Sequence, residues 1–183
     1  MLEDFSQHIL DIAENSVNAD ATEVMISLSE DRPPGYVVFG VKDNGKGMDK
    51  DMLRKVTDPF CTTRTTRKVG LGLPFLKQIS ELCGGRFYIA SEPGKGTNLE
   101  ATFRMDSVDI PPLGDIPSTM MSLIVAHPEI RWIYRHYKGS SSFEFDSDVI
   151  IGILGDSSKL AAPEIALWVK DYIAENLGEL GKR

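Results

Sequence analysis

Apolar positions follow two different periods along the chain. Between residues 2 and 18 they return every three or four positions, through Leu2, Phe5, Ile9, Ile12, Ala13 and Val17 with Ser16 among them. That spacing predicts an amphipathic helix. TEVMISLSE (22–30) and YVVFGVKD (36–43) are rich in β-branched and aromatic residues and predict two strands, joined by the turn DRPPG. MDKDMLRKV predicts a short helix. LPFLKQISELCGG predicts a longer one through Leu73, Leu76, Ile79 and Leu82, with Pro74 in its first turn and Gly84 and Gly85 ending it. RFYIASE and TNLEATFRM predict two more strands around PGKG. The stretch from 57 to 70, TDPFCTTRTTRKVG, has no period and predicts a loop rich in hydroxyl and basic groups.

At DSVDIPPLGDIP prolines and acids interrupt any element, which divides the chain into residues 1–106 and a smaller extension, 107–183. The extension predicts a helix near 118–126, a hairpin from EIRWIYRHY through KGSSS to FEFD, and a last helix over about 163–178. In that last helix Ile165, Trp168, Val169, Tyr172, Ile173 and Leu177 form one stripe, read as core packing. The extension is expected to pack on the first unit.

Composition narrows the function classes. Twenty Lys and Arg against twenty-seven Asp and Glu leave a net charge of −7, the wrong sign for a protein that mainly binds nucleic acid. No apolar run approaches the roughly 20 residues that cross a bilayer, and the acidic opening MLEDFSQHIL does not read as a signal peptide. A cytoplasmic protein with no membrane partner is expected. Cys61 and Cys83 have no metal spacing and read as ordinary thiols of a reducing compartment.

Four stretches carry candidate chemistry. On the first helix Asp4, His8, Asp11, Asn15 and Asn18 fall on one face, which is expected opposite the core stripe. A solvated face is the plain reading of that row; an acid and an amide four apart also suit a hard cation and a water. In VKDNGKGMD, Asn44-Gly45 reads as a hairpin turn, or else Asp43 at a strand end offers its carboxylate to an amine while Gly45 and Gly47 let backbone approach a flat ring. In GLGLPFLKQI, Gly70 and Gly72 open a helix whose exposed N–H groups suit an anion, with Arg64, Arg67 and Lys68 just before them. EPGKGTNL reads equally as a simple hairpin turn.

In this order and spacing the amide-bearing helix, DNGKGM, DPFCTTR, GLGL and GKGT resemble the N, G1, F, G2 and G3 boxes of the Bergerat-fold ATPases. That superfamily includes gyrase, heat-shock chaperone, histidine kinase and mismatch-repair proteins. The likeness covers about residues 1 to 104. Asp43 to Phe103 looks most like the catalytic ATP-binding domain of sensor histidine kinases, while AENSVNADAT is similar to the mismatch-repair N box. The resemblance implies an α+β fold, a Bergerat two-layer sandwich with a mixed, mainly antiparallel sheet covered by helices on one face, here followed by a small α/β extension.

It also implies a site for ATP and Mg2+. Asn15 would bind the metal, and Asp43 would recognise the adenine amine with help from Thr97. Gly45, Gly47, Gly70, Leu71, Gly72, Leu73, Gly94 and Gly96 would shape the pocket, and Arg64, Arg67 and Lys68 would meet phosphates. Asp11 stands where hydrolytic relatives carry a glutamate that activates water, although it is one methylene shorter. Glu14 is its rival. With few residues before the first helix, no phosphoacceptor helical hairpin is expected, and neither His8, His127 nor His136 has an acceptor setting. The expected function is a stand-alone kinase passing the γ-phosphoryl to a separate protein in signal transduction; an ATP-gated binding switch with slow or no hydrolysis is the alternative. A homodimer is left open.

Overall fold

The computed structural model describes residues 4–57, 72–180 and 182. Helix α1 (Phe5–Asn18) is capped by Asp4, whose carboxylate accepts from the Gln7 N–H at 2.9 Å. Strands β1 (Glu23–Glu30) and β2 (Tyr36–Asp43), helices α2 (Lys50–Val56) and α3 (Gly72–Leu82), and strands β3 (Phe87–Glu92) and β4 (Gly96–Arg104) follow. The extension adds α4 (Ile116–Ala126), β5 (Arg131–Lys138), β6 (Ser141–Asp146), α5 (Ser147–Leu154) and α6 (Pro163–Glu179).

One six-stranded sheet runs in the order β3-β4-β2-β1-β5-β6. β5 lies parallel to β1, and every other pairing is antiparallel. The expected α+β sandwich with a mixed, mainly antiparallel sheet is therefore the observed fold. Alternation decides the inner face: Val24, Ile26 and Leu28, Phe39 and Val41, and Leu99, Ala101 and Phe103 are buried, and their neighbours point outward. The core continues without a gap into the extension through Trp132, Tyr134, Met120 and Leu123. At the far end of β1 the buried His136 lies between the Tyr134 hydroxyl at 2.6 Å and the Glu30 carboxylate at 2.9 Å. The hydrogen bond from His136 holds the Glu30 carboxyl below its ordinary range.

Two expectations change here. The row of polar residues on α1 flanks the core stripe instead of opposing it: His8 is fully buried and stacks on Phe75 of α3 at 5.8 Å. In α6 Val169 and Ile173 are buried as expected, but Trp168 and Tyr172 are turned outward. The sequence pattern does not predict helix α5, because after Ser147 and Asp148 the run VIIGIL is continuously apolar and shows no period; Asp146 caps its start and Gly155, at a φ of 75°, ends it.

Burial of His8 has a measurable result. Neither ring nitrogen has a hydrogen-bond partner among the described residues, and desolvation, opposed in part by Asp4, lowers its pKa from 6.5 to about 4. The unfolded chain therefore takes up this proton first, and the fold loses stability as pH drops from 6.5 toward about 4. The full loss is on the order of 3 kcal/mol. His8→Phe keeps the ring against Phe75 and removes the titration, so unfolding measured across that range should lose this part of its acid sensitivity.

Candidate functional site

A cavity of about 330 Å3 opens between the last turns of α1, the segment after β2, α2 and the ends of β3 and β4. Its walls are apolar, from Ile12, Val41, Met52, Val56, Ile89 and Leu99, and a few polar groups converge at its floor. That combination is typical of a small-molecule site.

Asp43 is the centre of the floor. The register pairs it with Val24 and with Thr97, so its side chain turns to the inner face at the point where the sheet meets α1. One carboxylate oxygen accepts from the Gly45 N–H at 2.9 Å and the Thr97 N–H at 3.2 Å; the other accepts from the Ser16 hydroxyl at 2.8 Å. A carboxylate offers about four acceptor positions, so the three donors among the described residues fix this one and leave a single position on the oxygen shared with Ser16. Ser16 itself was hidden in the core stripe; a lone hydroxyl at an apolar helical position was its only sign.

The glycine-containing segments hold one another. Lys46 N–H donates to the Ala19 carbonyl at 2.7 Å, Gly94 N–H to the Lys46 carbonyl at 2.7 Å, and Met48 N–H to the Ser91 hydroxyl at 2.8 Å. Ser91 in turn donates to the Gly96 carbonyl at 2.9 Å and lies 3.1 Å from the Thr97 hydroxyl. A Cβ on Gly45 would stand 2.6 Å from the Ala19 carbonyl oxygen. On Gly96, at a φ of 85°, it would run into the Asp43 carbonyl, and on Gly47 into that of Glu92. The close approach that these glycines permit is thus to protein backbone. Gly47 alone of Gly45, Gly47, Gly94 and Gly96 lines the cavity. Asn44 is no hairpin turn; its amide oxygen accepts from Thr22 and Glu23 at 2.9 Å each and anchors the start of β1.

Asn15, Leu73 and Thr97 line the cavity as well. Asp11 sits one turn back from Asn15 against Gly72, where any Cβ would collide with its carboxylate. Its Oδ2 is buried with no hydrogen-bond partner among the described residues, and burial pushes the carboxyl above its ordinary value. Glu14 points elsewhere, with Oε1 3.7 Å from His127. Arg64, Arg67, Lys68, Gly70 and Leu71 lie outside the described residues.

Residues 2–107 match the family model described as histidine kinase-, DNA gyrase B-, and HSP90-like ATPase. That match takes in more than half of the sequence, and the chain belongs to this family of ATP-binding proteins. Similar proteins include the sensor kinase CckA of Brucella abortus, 46% identical over 66 residues (36% of this chain, 7% of that protein). Sporulation kinase C of Bacillus subtilis is 30% identical over 101 residues, 55% of this chain and 23% of that protein. The sensor histidine kinase ZraS of Escherichia coli is 33% identical over 92 residues, 50% of this chain and 20% of that protein. The chain thus spans less than a quarter of these curated relatives. Among solved structures, the Aquifex aeolicus MutL ATPase domain complexed with ADP shares the fold. Its TM-score is 0.54 at 13% identity, covering 85% of this chain and 70% of that one.

Proposed function

We propose that the cavity receives the adenine of Mg-ATP and that the nucleotide serves transfer of its γ-phosphoryl to a side chain of a separate partner protein. The observation that carries the nucleotide end is the single acceptor position left on Asp43 at the floor of an apolar slot. The C6 amine of adenine fills it, whereas the C6 carbonyl of guanine would be repelled. The likeness to sensor kinases supports the transfer. Magnesium, when bound, would neutralise phosphate charge. Asn15, lining the cavity beyond Asp43, would offer it an amide oxygen.

The second reading, an ATP-gated switch reset by slow hydrolysis, draws on Asp11. A half-buried carboxylate with an oxygen that has no partner among the described residues and a raised pKa is suited to take a proton from water. Labelled ATP incubated with the protein and native extract separates the two: label on a protein supports transfer, and release of free phosphate alone supports the switch. Asp11→Asn should slow free phosphate release by about 100-fold while leaving ATP affinity unchanged, measured by single-turnover hydrolysis and by titration.

A further inference from the structure

Helix α6 carries apolar side chains on two sides. Ala166, Val169 and Ile173 are buried in the core, while Leu167, Trp168 and Tyr172 point outward at 58%, 47% and 36% exposure. Trp168 and Tyr172 stand one turn apart and stack, with ring centroids 5.2 Å apart and planes 14° from parallel. Phe143 of β6 braces Tyr172 at 5.8 Å in an edge-on contact. An outward helix face is normally polar, and scattered apolar residues there mean little. A braced aromatic pair with a neighbouring leucine is different: it is the kind of rigid, amphipathic surface that anchors partners.

The surrounding charges choose the occupant. Glu164, Asp171 and Glu175 are all exposed around this platform, and Lys170 is half-buried. A second copy of the chain would bring like acids together, and an anionic lipid surface would be repelled in the same way. A cationic amphipathic segment meets both demands, with apolar side chains on the rings and Lys or Arg beside the carboxylates and over the indole. We infer that the outward face of α6 docks a basic amphipathic helix of a partner protein. This docking does not depend on the nucleotide site.

The test uses the full chain. Trp132 is fully buried and Trp168 is half exposed, so changes in tryptophan emission report Trp168. The titrant is a tryptophan-free amphipathic helical peptide built from Lys and Leu, with a Glu-for-Lys peptide as its counterpart. The Lys peptide should shift Trp168 emission to the blue, saturably and at micromolar concentration, and the Glu peptide should not. Asp171→Lys with Glu175→Lys, both exposed positions, should weaken binding by about tenfold. Leu167→Ser should do the same, read by anisotropy of a labelled peptide. No saturable shift, an equal response to both peptides, or unweakened binding by the charge-reversed protein would each overturn the docking. So would concentration-dependent dimerisation that buries Trp168, or an emission shift with anionic vesicles that the Lys peptide does not produce.

Discussion

Asp43→Asn is expected to lower affinity for ATP by about 10- to 150-fold, the roughly 1.5 to 3 kcal/mol of a lost hydrogen bond to a charged acceptor. The reason lies in the donors around it. Gly45 and Thr97 N–H groups both point at one oxygen and require an acceptor there, so the asparagine amide must turn its NH2 toward the other position, beside Ser16. The serine hydroxyl can reverse and accept from that NH2, which keeps the local fold. The open position facing the cavity then changes from acceptor to donor. The C6 amine of adenine loses its partner, and the C6 carbonyl of guanine gains one, so GTP should bind the variant better than it binds the wild type. Calorimetric titration of both proteins with both nucleotides reads this directly.

Gly96→Ala should act on the fold as well as on the site. Gly96 opens β4 at a φ of 85°, where an L side chain is strained, and its missing Cβ leaves room for the Asp43 carbonyl and the Asn44 backbone. None of these obstacles is a flexible side-chain tip. Room for a methyl would require moving β4 away from β2 at the Asp43 and Thr97 pair, which also misplaces one of the donors that fix the carboxylate. The expected cost is about 3 kcal/mol, which for a chain of this size lowers the unfolding midpoint by about 10 °C. Gly94→Ala makes a useful control: Gly94 also has a positive φ, 76°, but none of the described residues stands within 4 Å of its missing Cβ. Only the conformational strain should remain, and the drop in midpoint should be distinctly smaller.

Much of this was legible in the sequence because local chemistry and periodicity agree. Strands β1 to β4 and helices α1 and α3 follow from their patterns, and Asp43, Asn15 and Thr97, which the ordered boxes single out, line one cavity. What stayed hidden depends on contacts between distant segments. Ser16 reads as one more small residue in a core stripe until β2 brings Asp43 beneath it. Ser91 carries no signal of its own, yet it ties the segment after β2 to β4. The glycines were legible as a need for close approach, but the sequence could not say that the approaching group is backbone. The two-sided character of α6 stays hidden for a related reason, since periodicity reveals an apolar stripe without revealing how much of it a neighbour covers.

The central claim is that the slot over Asp43 selects a purine with its amine at C6, where guanine carries a carbonyl. Calorimetric titration of the wild-type protein with ATP and with GTP, in the presence of magnesium, tests it most directly. One ATP should bind per chain, with GTP at least about tenfold weaker. Equal affinity for the two nucleotides, or no heat from either, would contradict it.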